Sequence, residues 1–239
     1  MPDNAEPIVI IDKDKEYQTS DVEIMFKSDA MPEEMKGTMQ YMMIQYLINA
    51  ATSMLNQRYT EAVQKADCPF VQAGASYGSY IFSKTKDAFD IDIVPKDPTQ
   101  IEAALKAALV EARRAAEFGF TATEYDRYKE QYIAYLDKAL SNKDKRQSKQ
   151  FCQEYWMHYL ENEPIPSIDF EVETMKQIIP MLPVEAINEL MKQFIPETDE
   201  NMVIINFNTV VTDFTTCCNS ILFIKKFCNN HTVFNNDIC

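Results

Sequence analysis

The spacing of apolar residues changes period several times along the chain, and each change marks an element. Ile8-Val-Ile-Ile11 is a short apolar run, and Val22, Ile24 and Phe26 alternate with polar Glu23 and Lys27. Both patterns predict strands, the second with one face buried and the other wet. From Pro32 to about Lys65 the period becomes helical, with Met35, Met39, Met42, Met43, Tyr46, Leu47, Ala50, Ala51, Met54 and Leu55 recurring at steps of three and four. A methionine-rich stripe of this kind reads as core packing, with an adaptable binding face as the alternative.

Asp67-Cys-Pro69 ends that helix. Phe70 to Phe82 then reads as a long strand and Ser83-Lys-Thr-Lys86 as a turn. Phe89, Ile91 and Ile93, alternating with Asp90 and Asp92, form the returning strand of a β-hairpin. Asp90 and Asp92 face one way; the spacing admits a metal pair, but no third ligand is close in sequence, so they read as a wet strand face. Asp97-Pro98 supplies an N-cap and a proline at the first helical position, with Gln100 placed to close a capping box. That helix runs through Ala104, Leu105, Ala108 and Leu109 to Gly119, a left-handed stop. Thr121-Ala-Thr-Glu124 is a second capping box, opening a helix through Tyr128, Tyr132, Tyr135 and Leu136. Further helices are predicted over 145–160, 170–179 and 183–194, and Met202-Val-Ile-Ile-Asn-Phe207 closes the series as a strand.

The order ββαββ, several helices, then β, predicts an α+β fold. Hairpin-linked strands and grouped helices argue for a two-layer sandwich, a mostly antiparallel sheet with helices packed on one face, rather than a doubly wound sheet. This single domain is expected over 1–208. From 209 to 239 the chain turns rich in Cys, Asn, Thr and Phe, poor in charge and aperiodic. That atypical tail is expected to lie outside the fold, as a disordered segment or the product of a shifted reading frame.

With 239 residues and 46% apolar composition, the chain buries a core without disulfide or metal support. Its 37 acidic against 23 basic residues, a formal charge of −14, repel nucleic acid. The basic run Lys143-Asp-Lys-Arg146 with Lys149 reads as a solvated helix end. No stretch approaches the roughly 18 apolar residues of a membrane span, and the start, Met1-Pro-Asp-Asn-Ala-Glu-Pro7, lacks the basic and apolar regions of a signal peptide. Four glycines form neither a phosphate loop nor a dinucleotide fingerprint. Cys68 and Cys152 stand alone, and Cys217, Cys218, Cys228 and Cys239 crowd the tail without a metal or redox spacing.

Five segments, taken in order, carry a resemblance. They are Leu47-Ile-Asn-Ala-Ala-Thr-Ser-Met-Leu-Asn-Gln-Arg58, Phe70-Val-Gln-Ala-Gly-Ala-Ser-Tyr-Gly78, Lys86-Asp-Ala-Phe89, Glu111-Ala-Arg-Arg-Ala-Ala-Glu-Phe-Gly-Phe-Thr-Ala-Thr-Glu124 and Glu163-Pro-Ile-Pro166. Over about residues 7 to 207 the sequence resembles a repeat of the pitrilysin/insulinase family of zinc metallopeptidases, in particular the second repeat of its long bacterial members. The resemblance implies an enzyme built from repeats of one α+β fold around a closed chamber. One repeat holds zinc on an inverted H-x-x-E-H helix with a downstream glutamate, since two neutral imidazoles and a carboxylate hold the ion while a glutamate takes a proton from its water.

The sequence departs from that pattern. The family's zinc helix is the first long one, and here it carries Met42, Met43 and Gln45. His158-Tyr-Leu-Glu161-Asn162 is a near miss on a later helix, with asparagine in place of the second histidine. His158, Glu154 and Glu161 share a helix face there. The arginine–tyrosine pair of the family's substrate-binding repeat is also missing: Phe70 and Ala73 stand seven residues before Tyr77 and Tyr80. The reading is therefore of a chain that is not an enzyme on its own, with no catalytic, metal or cofactor-binding residue assigned and no cofactor in this chain. It would be a non-catalytic scaffold and substrate-chamber domain, with zinc held by the catalytic repeat of a parent endopeptidase. Its partners would be that repeat, the parent's other repeats and the peptide substrate, without nucleic acid or membrane insertion. The resemblance implies a periplasmic parent. The alternative is a catalytically inactive family member acting as a structural or binding subunit.

Overall fold

A computed structural model describes residues 1–13, 16 and 19–208, so the tail expected from 209 lies outside the described residues. The described residues form five strands, β1 (Ile8–Lys13), β2 (Asp21–Asp29), β3 (Phe70–Ser79), β4 (Lys86–Pro95) and β5 (Met202–Asn208), and six α-helices, in the order ββαββ, five helices, β. The helices are α1 (Met39–Val63), α2 (Ile101–Phe118), α3 (Ala122–Ser141), α4 (Ser148–Glu161), α5 (Ile168–Ile178) and α6 (Val184–Phe194). The fold is α+β, as the element order predicts. Contacts gather into two compact units. Among the described residues, one holds Met1–Ala30, Leu55–Phe118 and Met191 to Asn208; the other holds Met31–Met54 and Gly119–Leu190.

The first unit is built on the sheet, in the order β1-β5-β2-β4-β3. Only the β1–β5 pair is parallel; the other three are antiparallel. Alternation decides the faces: Val22, Ile24 and Phe26 lie opposite Ile93, Ile91 and Phe89, and all six are almost fully buried. Helix α2 packs on β4 and β2, bringing Ala104, Ala108, Ala112 and Ala115, whose short side chains let its backbone approach closely. Phe194, at the end of α6, stacks on Phe89 and Tyr77 with ring centroids 4.9 Å apart in both cases, and Tyr59 meets Phe70 edge-on at 6.3 Å. Each large apolar side chain withdrawn this way contributes roughly 1.5–3 kcal/mol.

The second unit is helical, with α3 against α5. Its first helix starts later than the Pro32 expected from periodicity. A 3₁₀ turn at Glu33–Met35 comes first, and Gly37 then breaks the path at φ 81°. Helix α1 opens only after Thr38, whose Oγ1 accepts from Tyr41 N–H at 3.1 Å. Helix α3 opens at the capping box read from sequence: Thr121 Oγ1 accepts from Glu124 N–H at 3.3 Å and the Glu124 carboxylate accepts from Thr121 N–H at 2.7 Å.

Two further boundaries differ from the sequence reading. Strand β3 stops at Ser79 rather than Phe82, because Ile81 takes a left-handed conformation at φ 52°. The Asp97 cap serves Thr99, accepting from its N–H at 2.8 Å and its hydroxyl at 2.5 Å, in place of the box with Gln100.

Gly119, at φ 75°, is the tightest backbone position of the helical unit. A Cβ there would stand 2.5 Å from Asn188 Nδ2, and Asn188 is itself held by Phe120, whose N–H it accepts at 2.7 Å. Gly119→Ala is therefore expected to cost about 2 kcal/mol or more, from left-handed strain plus a displaced amide. Gly78→Ala, where a Cβ meets nothing within 4 Å, should change stability by less than about 0.5 kcal/mol. Denaturant midpoints of the two variants check this; equal midpoints would contradict it.

Candidate functional site

The resemblance places a metal on the first long helix, so the surroundings of α1 come first. Tyr46 is 1% exposed and meets α3, with its ring 5.0 Å from Tyr132, edge-on, and 5.7 Å from Tyr128. Its hydroxyl lies 3.4 Å from that of Tyr125, which donates to Leu182 O at 3.1 Å. Burial pushes the Tyr46 and Tyr128 hydroxyls far above the ordinary phenol range, and Tyr132 up to about 12. These are neutral phenols packed as apolar bodies with polar tips, not phenolate donors. Met42 and Gln45, one turn earlier, line a cleft. The first glutamate of α3, Glu124, is engaged in its cap. This donor set does not fit zinc, which takes imidazole, thiolate or carboxylate.

The near-miss residues of α4 also have other roles. His158 is exposed, with Nδ1 2.7 Å from the backbone oxygen of Glu163. The Glu154 carboxylate pairs with Arg146, whose guanidinium also lies 4.4 Å over the Phe151 ring, and the backbone oxygen of Glu161 accepts from Lys36. Among the described residues no group of three or more His, Cys, Asp or Glu side chains is placed to hold a metal ion.

Helix α4 carries no buried residue. Tyr155, Trp156, Tyr159 and Leu160, at helical i, i+4 spacing, are 60%, 64%, 84% and 50% exposed. Together they make an exposed aromatic patch on α4. Beside it the segment Pro164-Ile165-Pro166 separates two adjoining cavities of about 310 and 700 Å³, which also share Glu154 and Glu171 in their walls.

On the sheet, Asp90 and Asp92 do not form the wet face that alternation suggested. Glu23 on β2 stands directly opposite Asp92, and Ser76 on β3 opposite Asp90. All three carboxyls are half-buried beside an apolar patch of Met25, Ala88, Val203 and Tyr80. Burial, followed by the nearby charges of Glu23 and Asp92, raises Asp90 to about 7, and burial also raises Glu23. One Asp90 oxygen is buried without a hydrogen-bond partner. Sequence reasoning missed Glu23 because its contact is set by cross-strand register, which the β2 pattern alone does not fix.

No family model and no curated protein matches the sequence. The fold does have solved counterparts. The first half of the periplasmic protease PqqL from Escherichia coli superposes with a TM-score of 0.80 at 15% identity, over 97% of this chain and 48% of that one. A predicted insulinase family protease from Yersinia pestis gives 0.73 at 11%, over 91% and 45%. A peptidase M16 inactive domain from Pseudomonas fluorescens gives 0.59 at 13%, over 89% and 45%. The chain thus has the fold of a pitrilysin/insulinase-type peptidase domain and spans about half the length of these counterparts.

The carboxylate face has a pH signature. Asp90 is raised in the folded state, so the folded protein binds the extra proton between the unfolded carboxylate range near 4 and about 7. Its contribution to stability is full below that window and is lost as pH rises through about 7. Asp90→Asn is expected to stabilise the protein above pH 7 by on the order of 1 kcal/mol, a figure reduced for the group's solvent contact, and to change little near pH 4. Thermal melts at the two pH values check this; destabilisation at high pH would contradict it.

Proposed function

We propose that this chain is a non-catalytic scaffold and substrate-chamber domain of a zinc metalloendopeptidase, with peptide hydrolysis carried out by another repeat of the parent. The observation that carries the reading is the chemistry of the first long helix: where the resemblance expects zinc ligands on a peptidase-type fold, it carries Met42, Met43, Gln45 and the neutral phenol of Tyr46, which suits a role by shape and contact. The exposed α4 face supports it, because Tyr155, Trp156, Tyr159 and Leu160 offer a surface that a neighbouring repeat would cover. The zinc belongs to the catalytic repeat of the parent, and the periplasm, where PqqL works, is the proposed compartment. No helix among the described residues is long and apolar enough to cross a membrane.

In this role the domain's work is positional. Misplacing a catalytic constellation by about 1 Å costs around a hundredfold in rate, so a supporting repeat matters to an active site it does not contain. The isolated chain is expected to cleave no unstructured peptide with or without added zinc, while a parent lacking the segment loses most of its activity. A Trp156→Ser/Tyr159→Ser variant should leave the chain's thermal midpoint within about 2 °C, because both residues are exposed, yet lower the parent's activity. Metal-dependent cleavage by the isolated chain would defeat the reading. Full activity in a folded parent without the segment would favour a catalytically inactive member acting as a separate structural or binding subunit.

A further inference from the structure

The smaller of these two adjoining cavities is unusual in its lining. Tyr41, Tyr46 and Tyr132 give it aromatic walls, and Met42 and Met175 an adaptable apolar floor. Glu154 and Glu171 both reach it, and no lysine or arginine lines it. Of the acidic side chains around the two cavities, Glu154 pairs with Arg146, and Glu163 takes the Tyr41 hydroxyl at 2.6 Å and lies 3.4 Å from the Lys36 amine. Glu171 makes no ion pair among the described residues, although Lys138, Lys145 and Arg146 line the larger cavity that it also walls. Burial, followed by the neighbouring charge of Glu154, raises its carboxyl above the usual range, which is the state of a carboxylate lacking a counter-charge.

We infer that the tyrosine-walled cavity is a subsite for a lysine or arginine side chain of an extended polypeptide, with its cationic head at Glu171 and its aliphatic stem along Met42, Met175 and Ile165. The chemistry matches each part of the wall. A cation is attracted to tyrosine faces and to an unpaired carboxylate, and a flexible hydrocarbon stem packs on methionine. The adjoining cavity of about 700 Å³ gives the rest of the segment room; Gln153 there offers an amide for its backbone, and Lys138, Lys145 and Arg146 in its wall favour neutral or acidic flanking residues over a second basic one. An isolated amine would use only the smaller cavity; the pair of cavities argues for a polypeptide. The inference deepens the chamber-wall reading and rests on it only for the expectation that peptides reach this face.

The test is fluorescence anisotropy of the full chain with a dye-labelled, unstructured peptide carrying one central lysine, against the same peptide with norleucine at that position. The lysine peptide is expected to bind about tenfold tighter, the modest factor of a partly solvated ion pair. In Glu171→Gln the ratio should fall to within about twofold, with the thermal midpoint unchanged or raised, since a buried charge is removed. Equal affinity of the two peptides, or a ratio unaffected by Glu171→Gln, overturns the inference. Competition with butylamine separates the sources: if the free amine binds as tightly as the lysine peptide, the site takes a small amine and the polypeptide assignment fails. The assay needs only this chain, so its failure is distinct from failure of the scaffold role, which is read in the parent's activity.

Discussion

A tyrosine buried on a long helix needs an apolar partner for its ring and a polar one for its hydroxyl, and α3 supplies both to Tyr46. Tyr128 and Tyr132 take the ring, while Tyr125 meets the hydroxyl and passes the hydrogen bond on to Leu182. Each ring pair of this kind adds about 0.5–1.5 kcal/mol beyond area burial. The consequence for chemistry is as large as that for stability. Neutral phenols pack beside the part of α1 where the resemblance would place imidazole, and among the described residues these contacts offer no donor set that fits zinc.

The polar features of the two units follow one rule: a charge drawn out of water either finds a partner or is pushed toward its neutral form. Lys86, 7% exposed, is met by Asp3 and Asp29 at 2.6 Å each, and the Lys27 amine donates to Pro2 O at 3.0 Å and lies 5.4 Å over the Tyr80 ring. Asp90, facing Glu23 and Asp92 with no cation opposite, is instead raised toward neutrality. Glu171 is in the same position in a cavity that has room for a ligand. The difference between the two sites is space: one lies on a sheet face, the other opens into a cleft.

Much of this was legible in the sequence. Period-two alternation located β2 and β4, and Thr121 with Glu124 announced the start of α3, because caps and alternation are local. Tyr128 and Tyr132 were visible at helical spacing, but their contact with Tyr46 was not, since it joins helices about eighty residues apart and depends on their packing. The same holds for Glu23 against Asp92, which needed strand register, and for Glu171, whose cavity is walled from α1, α3, α4 and the Pro164–Pro166 segment. Local misreadings came from backbone conformation: Gly37 and Ile81, both at positive φ, ended elements that hydrophobic pattern alone would have continued. The α4 aromatics ran the other way, as apolar spacing that in a core would be buried and here is exposed.

If α1 and α3 pack as a structural pair rather than a metal centre, the purified chain, equilibrated with excess zinc and then freed of unbound ion, holds far less than stoichiometric zinc. A stoichiometric, tightly held zinc that persists in His158→Ala, and so is not held on α4, would contradict that packing.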